Sequence, residues 1–154
     1  MTTLVVCTSR SSHQNTRRIA DELGAALDAR VVTPDEVTPA MLADADRIGV
    51  GSGIYWMSFD PRLVEWIRGL PDMSGRDAFI FSTSGLPETS LRRYTTSLEK
   101  LLRQKGFRYV GAFASRGLDT WGPFGMVGGV SRGRPDADDL AAARRFAAEV
   151  QRWQ

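Results

Sequence analysis

One cysteine and one histidine stand in 154 residues. With Cys7 alone no intramolecular disulfide can form, and with His13 alone a Cys/His zinc cluster cannot be assembled. No stretch approaches about 18 uninterrupted apolar residues, so no membrane-spanning segment is expected. The N-terminus has no basic stretch followed by an apolar run and a small-residue cleavage site, and the expectation is a soluble, cytoplasmic protein. Lysine is scarce, two residues against eighteen arginines. The arginines fall in separated pairs, Arg17 and Arg18, Arg92 and Arg93, Arg132 and Arg134, Arg144 and Arg145. Several sit beside Asp or Glu, so solvated faces account for them better than a nucleic-acid footprint, and no nucleic-acid partner is expected.

Three signatures of phosphate chemistry are also missing. There is no Gly-x-x-x-x-Gly-Lys-Ser/Thr segment to cradle a nucleotide triphosphate. Six positions after Cys7 comes His13 rather than the Arg that a low-molecular-weight cysteine phosphatase needs. The first and third apolar runs end in Thr8-Ser9 and Gly51-Ser52, where a phospho-receiver domain would carry acidic residues.

What is present is an alternation of short apolar runs with helical patterns. Thr3 to Thr8 reads as a strand, and Ile19, Ala20, Leu23, Ala26 and Leu27 then recur at helical spacing before Val31-Val32. A short helix is expected from Pro34 to Asp44, a third strand over Arg47–Ser52, and a helix opened by Pro61 that carries Leu63, Val64, Trp66, Ile67 and Leu70. Ala78–Phe81 is the fourth strand. A helix from about Leu91 to Lys105 stops at Gly106, Phe107–Phe113 supplies a fifth strand whose apolar content suits a buried position, and a last helix runs from Ala137 to Trp153. Five strands alternating with helices imply one α/β domain over residues 1–154, a parallel sheet covered on both faces. A chain of this length buries about two-thirds of its unfolded surface. In such sheets ligands gather beyond the carboxyl ends of the strands, where the strand order reverses.

Three strand ends carry unusual loops. Every residue from Ser9 to Thr16 except Arg10 is Ser, Thr, Asn, Gln or His, small donors at the start of a helix whose free N–H groups favour an anion. A polar helix cap is the plainer alternative, although a cap needs only one such residue. The third strand runs into Gly51-Ser52-Gly53-Ile54-Tyr55-Trp56-Met57, where two glycines would let the backbone approach a ligand and two aromatics could cover a flat ring. The same rings would serve equally to pack on the next helix. The fourth strand ends in Ser82-Thr83-Ser84-Gly85, hydroxyls suited to a ring with both donors and acceptors, or simply a Ser/Gly turn. From Arg116 to Arg134 the chain has six glycines and no periodicity, yet holds Trp121 and Phe124, which favours an ordered flap near a ligand. Cys7, inside a strand, is expected to be a small core hydrophobe.

These blocks, taken in order, resemble the flavodoxins and flavodoxin-like FMN proteins, in the subgroup with a lengthened phosphate loop. The matching segments are the Ser9 to Thr16 loop ending in Asn15-Thr16, Gly51-Ser52-Gly53-Ile54-Tyr55, Phe81-Ser82-Thr83-Ser84-Gly85, and Gly117-Leu118-Asp119-Thr120-Trp121-Gly122-Pro123-Phe124. The resemblance implies a three-layer, doubly wound sandwich with a five-stranded parallel sheet of order 2-1-3-4-5. It implies that Ser9, Ser11, His13, Gln14, Asn15 and Thr16 surround the FMN phosphate and that Ser52, Gly53, Ile54, Tyr55 and Trp56 contact one side of the isoalloxazine. Ser82, Thr83, Ser84 and Gly85 would address its polar edge, with Asp119, Thr120 and Trp121 near the ring. Gln14 stands where flavodoxins commonly have Gly, and the pI of 9.0 departs from their usual acidic surface. The implied function is electron transfer between a reductase and an acceptor enzyme, partners for which the basic balance favours acidic surfaces. An FMN-dependent oxidoreductase that reduces a quinone or similar acceptor itself, and an interaction module without cofactor, are the alternatives.

Overall fold

The computed structural model describes residues 1–8, 15–55, 58–83, 88–115 and 137–152, side chains 55 and 88–93 excepted. The chain runs β1 (Thr3–Cys7), α1 (Asn15–Leu27), β2 (Arg30–Val32), a 3-10 turn (Pro34–Glu36), α2 (Pro39–Asp44) and β3 (Arg47–Tyr55). It continues through β4 (Ser58–Phe59), α3 (Pro61–Arg68), β5 (Asp77–Thr83), α4 (Glu88–Gln104), β6 (Arg108–Ser115) and α5 (Ala137–Gln151). The five parallel strands lie in the order β2-β1-β3-β5-β6, which is the expected 2-1-3-4-5 once the short antiparallel β4 takes a number of its own.

Side-chain alternation builds the layers. Leu4 and Val6 of β1 point with Ile48, Val50 and Ile80 into a core closed by Leu63 and Ile67 of α3 and Leu98 and Leu102 of α4. Val5 and Cys7 point the other way, with Phe79 and Phe81, onto Ile19 and Leu23 of α1 and Ala143 and Ala147 of α5. All residues of β1 and β5 are buried, as strands with helices on both faces must be.

Glycines in β3 make room for the larger rings beside them. Gly49 pairs in register with Phe79, and Gly51 with Phe81. A Cβ at Gly49 would fall 2.2 Å from the Phe79 ring, and one at Gly51 would fall 2.3 Å from the Phe81 ring. Gly51 therefore serves packing here, a different role from the ligand approach expected of it.

Several boundaries differ from the sequence expectation. The helix expected over Pro34–Asp44 is split, because Pro39 disfavours helical backbone at the residue before it, and Thr38 is extended and caps α2 by accepting from the Met41 N–H at 3.2 Å. The third strand does not stop at Ser52; it continues to Tyr55, and Ile54 and Tyr55 pair with Phe59 and Ser58 of β4. The fifth parallel strand, β6, is the last on its side of the described sheet, so Arg108, Ala112 and Ala114 are exposed rather than buried. The stop at Gly106 does hold: φ is +99°, and Phe107 N–H reaches the Leu102 carbonyl at 3.3 Å while Gly106 N–H reaches Arg103 at 3.0 Å, a Schellman ending.

Candidate functional site

The strand order reverses between β1 and β3, and the carboxyl ends of β1, β3 and β5 converge there with the start of α1. Of the expected site residues, Ser9, Ser11, His13, Gln14, Trp56, Ser84, Gly85, Asp119, Thr120 and Trp121, together with the Arg116 to Arg134 flap, lie outside the described residues. The described remainder is gathered along one edge. Asn15 and Thr16 open α1 with 5% and 1% exposure, Ser52 lies near the end of β3 at 0%, and Ser82 and Thr83 end β5 at 2% and 5%.

Two hydrogen-bond sets tie this edge together. Ser52 Oγ donates to the Gly53 carbonyl at 2.7 Å and accepts from the Asp60 N–H at 3.1 Å, which fixes the β3–β4 hairpin against the start of α3. The hydroxyls of Thr16 and Thr83, 67 positions apart, meet at 2.7 Å in a buried contact. Thr83, expected to face a ring edge, thus has its hydroxyl turned to α1. Ile54, expected at the ring, is partly buried against the α3–α4 core. Tyr55 is placed by its backbone at the end of β3.

Sequence reasoning missed two contributors, Thr8 and Asp60. Thr8, just past β1, is 5% exposed, and its N–H donates to the Gly51 carbonyl at 3.1 Å. Its Oγ1 is buried with no hydrogen-bond partner among the described residues. Buried hydroxyls are nearly always paired, so this atom points to a group that completes it. Asp60 is fully buried, caps α3 by accepting from the Arg62 N–H at 2.9 Å, and is gripped by the Arg62 side chain at 2.9 Å. Burial pushes its carboxyl up, but hydrogen bonds from Arg62, a contribution from the nearby Thr8 hydroxyl and the Arg62 charge outweigh it, and the pKa is lowered. That contribution comes without the Thr8 hydroxyl reaching hydrogen-bond geometry. The dipeptide Asp60-Pro61 is a capping signal legible in sequence; its reach to Ser52 is not.

The described polar groups of this edge are uncharged hydroxyls and an amide, and the buried carboxylate of Asp60 beside them is paired with Arg62. Cys7 sits within β1 at 1% exposure, and burial, eased slightly by Arg17, pushes its thiol up to about 11, so it is a protonated core residue. Among the described residues no cluster of His, Cys, Asp and Glu could hold a metal ion, and no helix is long and apolar enough to cross a membrane.

The order of the sheet, with helices packed on both faces, defines a doubly wound α/β protein, a class whose ligands gather where the strand order reverses. The flavodoxin domain family matches residues 6–121, and the chain belongs to that family. An uncharacterized protein of Methanocaldococcus jannaschii is 33% identical over 138 residues, covering 90% of this chain and 91% of the relative. The oxidised flavodoxin 2 of Bacillus cereus superposes with a TM-score of 0.73 at 17% identity, with 99% of each chain covered. Flavodoxin 1 of the same organism gives 0.71 at 17% identity, again with 99% of each chain covered. Members of the family bind FMN, and the described residues fit it: a buried hydroxyl, Thr8, with no hydrogen-bond partner among them, and the small donors Thr16, Ser52, Ser82 and Thr83 along the same edge.

Proposed function

We propose that this protein binds FMN at the carboxyl edge of β1, β3 and β5 and carries electrons between a reductase and an acceptor enzyme in the cytoplasm. The observation that supports this most directly is the Thr8 hydroxyl at the end of β1, buried and without a hydrogen-bond partner among the described residues. FMN, when bound, supplies one- and two-electron transfer. The chain's own residues bind and orient: Asn15 and Thr16 offer the helix start to the phosphate, and Ser52 with Asp60 holds the hairpin that would border the ring. With Asp60 paired to Arg62, no described group at this edge is poised to move a proton, which suits a carrier better than an acid–base catalyst. The basic balance favours partners with acidic surfaces at the docking step.

The test is an absorption and fluorescence titration of the purified protein with FMN beside riboflavin. Saturable FMN binding, much tighter than riboflavin, is expected; absence of FMN binding sinks the proposal. Sustained reduction of a quinone by the flavin-loaded protein with a pyridine nucleotide, and no second protein, would replace the carrier reading with that of a self-sufficient reductase.

A further inference from the structure

The buried Thr16–Thr83 contact joins two loops that the sequence assigns to opposite ends of a flavin. Thr16 is in the first turn of the 13-residue helix α1 and Thr83 is the last residue of β5, in register with Gly53 of β3. Their oxygens are 2.7 Å apart, and either can donate. A hydroxyl has one proton and two acceptor lone pairs, so the direction of this bond decides what Thr16 can offer elsewhere. If Thr16 donates to Thr83, it presents only lone pairs to the helix start and repels an anion there. If Thr83 donates, the Thr16 proton is left for the anion. A negative charge at the N-terminus of α1 selects the second arrangement, and each bond in the chain polarises the next. The Thr8 hydroxyl, 5% exposed at the end of β1 and without a hydrogen-bond partner among the described residues, is the independent sign that a ligand belongs at this edge.

We infer that Thr83 is a positioning residue for the phosphate: it donates to Thr16 and thereby fixes Thr16 as a phosphate donor. This makes a residue of the β5 edge a determinant of phosphate affinity. The inference rests on the FMN reading above. A pair of hydroxyls that merely satisfy each other would give a different result. Removing one would then cost stability but would not distinguish a phosphorylated flavin from an unphosphorylated one.

The experiment is titration of wild type, Thr83→Val and Thr83→Ser with FMN and with riboflavin, alongside urea unfolding of each apoprotein. Thr83→Val is expected to weaken FMN about fivefold more than riboflavin, the size of one hydrogen bond, while Thr83→Ser keeps the wild-type ratio. An unchanged ratio in Thr83→Val, or equal losses for both flavins, overturns the inference and leaves FMN binding intact. Wild type that fails to prefer FMN overturns the binding reading itself, and this inference with it. Should Thr83→Val lose its cooperative unfolding, Thr83→Ala makes the same comparison.

Discussion

Among the described residues, the polar groups at the amino ends of the strands are largely charged and paired, whereas those at the carboxyl ends are mostly hydroxyls, one of them without a hydrogen-bond partner in that set. Arg47, 2% exposed, donates from Nε to Thr3 Oγ1 at 3.1 Å and from Nη1 to the Val150 carbonyl at 3.2 Å, tying β3 to β1 and to the last turn of α5. Burial lowers its pKa and the Asp77 charge opposes that shift. Arg108 forks onto Asp77 with two bonds of 2.8 Å, and the Thr2 N–H donates to Asp46 at 2.9 Å. These bonds join elements far apart in sequence. The opposite edge has Thr8, Thr16, Ser52, Ser82 and Thr83 in place of charges, and its carboxylate, Asp60, is held by Arg62. Charge closed on charge secures a fold; small hydroxyls at strand ends leave donors that a ligand can complete.

The largest effect should come from breaking the charged edge. Arg47→Leu strands the Thr3 hydroxyl and the Val150 carbonyl in a buried setting and is expected to cost about 3–4 kcal/mol in urea unfolding. Once folded, the variant should bind FMN as wild type does; a large loss of FMN affinity would mean that the two edges are not separable.

Gly51→Ala tests where the edges meet the core. The added Cβ would lie 2.3 Å from the Phe81 ring. Such overpacking costs about 1–3 kcal/mol. Because the Gly51 carbonyl accepts from the Thr8 N–H at 3.1 Å, the displacement should also weaken FMN binding. A variant as stable as wild type would show that β3 can slide away from β5 at low cost.

The smallest effect concerns Asp60, the buried carboxylate among the described residues of the hydroxyl edge. Asp60 has a lowered pKa in the folded state, so its contribution to stability is complete above the unfolded value of about 3.9 and is lost as pH falls through its folded value. Asp60→Asn keeps a capping oxygen but lacks the charge. The stability gap between wild type and variant should be constant above about pH 5 and shrink below about pH 4. A gap that widens in acid contradicts the assignment of Asp60 as an ionised partner of Arg62.

Much of this was legible in residue order. The all-apolar runs of β1 and β5 announced buried central strands, Pro61 opened α3, and Gly106 closed α4 with the positive φ that glycine tolerates. The hydroxyl-rich ends marked the site edge before any coordinates did. What escaped were contacts whose partners are distant in sequence. The packing of Gly51 on Phe81, thirty positions away, and the meeting of Thr83 with Thr16 have no local signature. β6 looked buried because its composition cannot say that it ends the described sheet.

By itself the sequence determined the alternation of strand and helix, the parallel sheet, and that one cysteine and one histidine can make neither an intramolecular disulfide nor a Cys/His zinc cluster, because these follow from local periodicity and from the residue types available; the family entered as a resemblance of motifs. The tertiary structure alone decided which hydroxyls are satisfied and which is not, and that Asp60 holds the hairpin while Arg47 holds the opposite end. Those outcomes depend on distances between atoms brought together only when the sheet forms, and a hydrogen bond, unlike an apolar pattern, has no meaning until both of its ends are in place.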